Sequence, residues 1–422
     1  MRVAVIGAGI SGLGAALALH GRPGFDVALY ERAERLGGHA NTIDVDWDGT
    51  QVAVDTGFIV YNELNYPEFT ALLRWMAIET AASDMSFSLS CGDGAFEWLG
   101  CEKNPLDGLF AQRSNIVSPS FWRFLNGVRR FQARARADLS AGAVGDVSLR
   151  AYLDARGFSG RVARDYLAPM GAAIWSTTPG AALDFPARAF LEFFDNHRLL
   201  HFSAPQWRTV RGGSRAYVDE IARKLGPAAR LNAPVAGLRR TEDGVLLREA
   251  DGATARFDAA ILALAAPSAL ALLEDATPRE REILGAFRVS ANRVVVHRDA
   301  GLMPRRRAAW ASWNVLRRGP DATPAVTYWM NLLQPIAPET PIFVTLNPDR
   351  PIAPDKVFAQ FDYDHPLYDR AALRAQARLS EISGAGGVHF AGAWTGHGFH
   401  EDGLRSGLKA ARALGGEAPW RR

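Results

Sequence analysis

Cysteine is nearly missing from this chain: 422 residues contain two, Cys91 and Cys101. Two thiols cannot build a disulfide framework, and their spacing suits neither a zinc site nor a redox CxxC pair. A reducing, cytoplasmic setting is therefore expected. Lysine is almost as scarce, with four residues. No apolar run approaches the roughly 20 residues of a membrane span. The N-terminus runs straight into an apolar strand, so no secretory signal is expected. The net charge is only +3, with no long block of one sign, so nucleic acid is not an expected partner.

What is present is ample core material. Hydrophobic residues make up 48% and charged residues 22%, ordinary globular shares. A chain of this length exceeds one ordinary core, so two domains are expected.

The clearest local pattern is at the start. Val3 to Ile6 read as a buried parallel strand, and Gly7, Gly9 and Gly12 fill G-x-G-x-x-G before an apolar helix. A second strand, Val27 to Tyr30, ends in Glu31. This order is that of a dinucleotide fold. Gly7 allows the tight turn, Gly9 lets backbone approach a pyrophosphate, and Gly12 packs helix on strand. Ile10 and Ser11 open the helix whose N-terminus faces the phosphates. Glu31 accepts from ribose hydroxyls.

After Glu31 the chain reads "RAERLGGHANT", giving E-x-x-x-R-x-G-G. This resembles the second dinucleotide motif of the flavin-containing amine oxidase superfamily, which includes phytoene desaturases. The resemblance implies an α/β fold: a Rossmann-like, glutathione-reductase-like FAD-binding domain with an inserted α+β substrate domain. It places Arg32, Gly37, Gly38, His39 and Ala40 beside FAD. His39 stands where the family has arginine. "VAVDTGFIVYN" resembles the family's D-x-G segment, which brings Gly57, Phe58 and Ile59 near the flavin. Val235 would set backbone beside the adenine.

The C-terminal "HFAGAWTGHGFHEDGLRSG" resembles the family's closing signature. His389 to Ala391 would form a last parallel strand. Gly392, Glu401, Asp402 and Gly403 would then meet the flavin, with a helix N-terminus near Glu401 aimed at its pyrimidine edge. Ala393 and Asp402 depart from the family's usual residues. His400, Tyr61 and Trp394 are the catalytic candidates. His397, His400 and Glu401 lack a second ligand cluster, so no metal is expected. No S-G-G-C-like segment is present, so FAD should be held without a covalent bond.

The expected layout is discontinuous. The FAD-binding domain takes residues 1–75, 205–285 and 380–422, and the substrate domain takes 76–204 and 286–379. The substrate segments are rich in large apolar residues, as in "FPARAFLEFFDNHRLLHF" and "VTYWMNLL". No lysine matches the one that amine oxidases present to the flavin. These features favour an FAD-dependent oxidoreductase of the desaturase or dehydrogenase type, acting on a fatty-acyl chain. Amine oxidation with oxygen and a non-catalytic flavoprotein scaffold are the alternatives. The stretch "VSANRVVVHRDAGLMPRRRAAWASWN", with "GAWTGHGFHEDGLRSG", is similar to a bacterial subgroup of predicted FAD/NAD-binding oxidoreductases whose genes commonly lie beside cyclopropane-fatty-acyl-phospholipid synthase-like methyltransferases. That resemblance implies a lipid substrate and a methyltransferase partner. Two basic clusters, Arg305 to Arg307 and Arg129 to Arg136 around Phe131, are candidates for peripheral contact with the inner membrane face.

Overall fold

The first strand, β1 (Arg2–Ile6), is buried at every position after the first, the mark of a strand covered on both faces. It leads into α1 (Ile10–Leu19) and β2 (Asp26–Tyr30). Next come α2 (Pro67–Trp75), β3 (Phe87–Cys91), β4 (Phe96–Gly100) and the long α3 (Pro119–Ser140). Shorter helices follow as far as Asn196. The chain continues through α4 (Arg215–Leu225), β5 (Ala229–Arg230) and β6 (Ala259–Leu262). Then come β7 (Arg288–His297), β8 (Trp313–Arg317), β9 (Ala325–Trp329), β10 (Phe343–Leu346) and β11 (Val357–Leu367). The last elements are β12 (Val388–Phe390) and α5 (His400–Ala413). This computed structural model describes residues 1–100, 105–175, 177–201, 205–319 and 324–421; Cys101 lies outside them.

Two sheets organise these elements. A five-stranded sheet runs β5-β2-β1-β6-β12, parallel throughout. Val3 and Val5 face a core shared with Leu13 of α1, Tyr217 of α4 and Leu404 of α5. Ala4 and Ile6 face the opposite core, which also holds Leu238, Phe257, Ala372 and Ala375. β6 ends at Leu262. Beyond it the Ala263 carbonyl sits so close to Gly7 that a Cβ there would lie 2.5 Å away.

The second sheet has seven strands in the order β11-β7-β10-β9-β8-β3-β4, antiparallel except between β8 and β3. Its third core packs sheet residues Val296 and Val344 together with Phe121, Phe124 and Phe131 of α3 and Phe190 and Phe194 of the helix Ala187–Asn196. The result is a Rossmann-like parallel-sheet domain joined to an α+β domain.

Glycines bring α1 and α5 unusually close. A Cβ on Gly407 would lie 1.9 Å from the Ser11 carbonyl oxygen, and one on Gly14 would lie 2.5 Å from Leu404 Cδ1. Only glycine permits that approach. The two helix N-termini therefore end side by side at one edge of the parallel sheet.

Candidate functional site

The corner between β1, α1 and β2 is built as a phosphate cradle. Gly7 has φ +97° and donates its N–H to the Tyr30 carbonyl at 2.8 Å. A Cβ on Gly12 would lie 1.8 Å from the Gly7 carbonyl oxygen, so Gly12 packs the helix on the turn. Gly9 differs, because a Cβ there would meet nothing within 4 Å. No side chain caps α1, and no acidic residue occupies its first turn. Its leading N–H groups are thus left for an anion. Ile10 and Ser11 are buried beneath them. Glu31 accepts the N–H groups of Ala8 and Ala33, each at 2.9 Å. A carboxylate has about four acceptor positions, so two remain for ribose hydroxyls. Ala233 donates its N–H to the Glu31 carbonyl at 2.9 Å, which brings the segment leading to Val235 alongside. Arg32 is exposed.

The second glycine pair packs against this corner. Gly37 donates its N–H to the Ala8 carbonyl at 2.8 Å, and a Cβ on Gly38 would lie 3.1 Å from Gly9 Cα. Arg35 reaches back over the loop and donates to the carbonyls of Leu36, Gly38 and Ala40. His39 is exposed at its surface, yet burial is the main cause that lowers its pKa. A ring open to solvent on one side and crowded by protein on the others lies in the wall of a cleft. The His39 ring lies 5.0 Å from Tyr363 and 5.7 Å from His365, two residues on one face of β11. Burial likewise pushes His365 down to about 4, so this wall is uncharged at neutral pH. Phe58 donates its N–H to the His39 carbonyl at 2.9 Å, and a Cβ on Gly57 would lie 2.3 Å from that oxygen.

Behind the cleft sits Asp55, which is 1% exposed. One carboxylate oxygen accepts from Thr42 Oγ1 at 2.6 Å, Ser214 N–H at 2.8 Å and Ser214 Oγ at 2.7 Å. The other accepts from Gln334 Nε2 at 3.2 Å. Asp55 thus joins the D-x-G segment, the start of α4 and the seven-stranded domain. Burial raises its pKa to about 6 against the opposing effect of these donors.

The structure reassigns several expected residues at the C-terminal end. Glu401 points at α2, accepting the N–H groups of Glu68 and Phe69 at 3.0 Å each. It caps that helix, and burial raises its pKa to about 7. Asp402 accepts the N–H groups of His397 and Phe399 at 3.0 Å each. Asp402 thus closes the turn that leads into α5. Gly403 faces α1, where a Cβ would lie 2.8 Å from Ile10 Cγ2. These three serve helix ends and helix packing. Gly392 donates its N–H to Ser406 Oγ at 2.9 Å, and Ile59 accepts from Thr209 Oγ1 at 2.8 Å.

The catalytic candidates fare similarly. His400 stacks on Phe58 at 3.8 Å and shares a 2.7 Å hydrogen bond with the Tyr217 hydroxyl. Burial holds its pKa near 3, so it is a neutral packing residue at pH 7. Trp394 lies in the core on the far side of the parallel sheet, donates to the Leu264 carbonyl at 2.8 Å and packs against Phe287. Tyr61 is 2% exposed and packs edge-on against Phe69. Its hydroxyl has no hydrogen-bond partner among the described residues, whereas His400 and Trp394 each have one.

A family profile described as flavin containing amine oxidoreductase matches residues 10–297 and 347–415. The chain belongs to this family. It is a flavin-dependent oxidoreductase. No curated protein sequence matches it. Among solved structures, it resembles a putrescine oxidase bound to putrescine at 16% identity and a TM-score of 0.71, covering 98% of this chain and 99% of that one. Cyclohexylamine oxidase from Brevibacterium oxydans IH-35A gives 18% and 0.71, with 98% of each chain covered. A CLA-producing fatty acid isomerase from P. acnes gives 15% and 0.67, again with 98% of each chain covered. At such identities these likenesses show the fold. The open cradle at Gly9, the uncapped α1 and the spare acceptors of Glu31 fit a flavin dinucleotide.

Arg35, Asp55, Ser214 and Gln334 were missed as site-building residues. Arg35 and Asp55 lie inside motifs already visible in the sequence. Gln334 carries no local signal at all, because only the packing of the two domains brings it to Asp55.

Proposed function

We propose that the protein binds FAD without a covalent bond and uses it to remove a hydride from a C–H bond of an apolar substrate, a fatty-acyl chain. The carrying observation is the uncharged, aromatic junction between the cleft and the seven-stranded domain. Phe193 stacks on Phe399 at 5.0 Å and on His197 at 3.9 Å, and burial pushes His197 down to about 4. Partly exposed Ile59, Val60, Phe361 and Tyr363 border the same core. An acyl chain gains about 0.8 kcal/mol per buried CH₂ on such a surface.

The lysines support this reading. Lys224 pairs with Glu220 and Lys356 with Asp299, while Lys409 lies exposed on α5. Among the described residues, none stands at the cleft. Bound FAD supplies hydride acceptance, and the protein positions the substrate and excludes water. Amine oxidation is the second reading, favoured by the two amine oxidases of like fold. The fatty acid isomerase of like fold sits with the first.

Anaerobic mixing with unsaturated fatty-acyl phospholipids should bleach the oxidised flavin band, with a product carrying one more double bond. Reduction by benzylamine or polyamines, with lipids inert, would replace this reading with amine oxidation. A flavin that neither class reduces would favour a scaffold role beside a lipid methyltransferase.

A further inference from the structure

From Gly108 to Ala137 the chain holds six arginines and no acidic residue. The structure presents this segment as a surface distant in role from the flavin cleft. Phe121, Phe124 and Phe131 turn inward from α3, leaving Trp122, Arg123, Arg129 and Arg130 exposed. Arg134 is held by Asp138 at 2.9 Å, and Arg136 leans on the Gln132 carbonyl. Arg113, Arg123, Arg129 and Arg130 make no ion pair among the described residues. The loop before the helix and the first turn of the helix form an apolar tip: Ile116 is 44% exposed, Val117 82% and Trp122 50%. This tip is braced. Trp122 Nε1 donates to the Ile116 carbonyl at 2.8 Å, its ring lies 5.5 Å from Phe110, and Ser118 caps the helix that Pro119 begins.

The other basic cluster is already used internally. Arg305 and Arg306 donate backbone N–H groups to buried Glu97, and the Arg306 side chain pairs with it. Arg307 lies between two indoles, 3.7 Å from Trp310 and 4.4 Å from Trp329. Of the two clusters, it is the one along α3 whose arginines, Arg123, Arg129 and Arg130 with the nearby Arg113, have no side-chain hydrogen bond, ion pair or aromatic partner among the described residues.

We infer that the 113–130 face docks on an anionic phospholipid bilayer, with Ile116, Val117 and Trp122 entering the interface and the four arginines meeting lipid phosphates. Single-sign charge around a rigid apolar tip with an interfacial tryptophan is the pattern of a surface-bound element. The expected anion is multivalent and planar, because the arginines spread along more than one turn of helix. This docking is independent of what the flavin oxidises.

The test is co-sedimentation of the purified holoenzyme with vesicles. It should pellet with phosphatidylglycerol-containing vesicles, be released by salt, and stay soluble with pure phosphatidylcholine. Each basic contact near an anionic surface contributes about fivefold to partitioning. The double variant Arg129→Gln, Arg130→Gln should therefore bind about 25-fold more weakly, and Val117→Asp should also weaken binding, with flavin content and melting temperature unchanged. Equal binding to neutral vesicles, or binding that both variants leave intact, would overturn the inference. So would self-association, measured by sedimentation velocity, that Val117→Asp abolishes in protein showing no vesicle binding; the face would then join two copies.

Discussion

Gly9→Ala separates the cradle's chemistry from its architecture. Gly9 has φ −71° and ψ 179°, which alanine adopts freely, and its Cβ would meet no protein atom within 4 Å. The folded apoprotein therefore loses nothing. Reduced freedom in the unfolded chain should stabilise it by about 0.4–1 kcal/mol, a rise of about 0.5–1 °C in a chain of this size. FAD binding should respond in the opposite direction. The methyl group fills the space before the first N–H groups of α1, displacing at least one charge-assisted hydrogen bond worth roughly 1.5–3 kcal/mol. That predicts affinity weaker by about tenfold to more than a hundredfold. Thermal melts of flavin-stripped protein and fluorescence titration with FAD measure the two effects separately. A variant that binds FAD with native affinity would refute the assignment of this corner to the pyrophosphate. A variant that fails to fold would refute the open geometry. Gly12→Ala, whose Cβ would strike the Gly7 carbonyl at 1.8 Å, should destabilise the apoprotein itself.

Three further outcomes follow from the buried polar groups and helix contacts. Asp55 titrates at about 6 in the fold against an ordinary 3.8, so the folded state holds its proton over a range where the unfolded chain has lost it. Stability should fall by about 2 kcal/mol as pH rises from 4 to 6 on this account, and by about 3 kcal/mol over the whole titration. Asp55→Asn should flatten that part of the melting profile, and an unaltered slope would count against it. Gly403→Val should lower the apoprotein melting temperature through about 1–3 kcal/mol of overpacking against Ile10; normal melting with a shifted flavin potential would instead return Gly403 to the flavin. Tyr217→Phe should cost about 1–3 kcal/mol by leaving the buried His400 nitrogen unpartnered without moving the pH profile of flavin reduction, whereas a moved profile would restore His400 to catalysis.

The nucleotide-binding end was legible in the sequence because its signals are local. Gly7, Gly9, Gly12 and Glu31 must occur at these spacings for a strand, a turn and a helix N-terminus to meet a dinucleotide, and neighbouring residues alone dictate that geometry. The apolar run Val3 to Ile6 likewise announces a strand buried on both faces. The C-terminal end was legible only as far as its strand and helix. Glu401, Asp402 and Gly403 read equally well as flavin contacts. What turned them to other tasks was the docking of α5 on α1 and α2, which puts the Glu68 and Phe69 amides in reach of one carboxylate and Ile10 against the glycine. His400 and Trp394 show the same division: sequence places them beside a glycine-rich turn, while the fold buries them and pairs them with the Tyr217 hydroxyl and the Leu264 carbonyl. A side chain's type and spacing follow from its own stretch of chain. Its direction, its solvation and its hydrogen-bond partner depend on residues hundreds of positions away, and only the assembled fold supplies those.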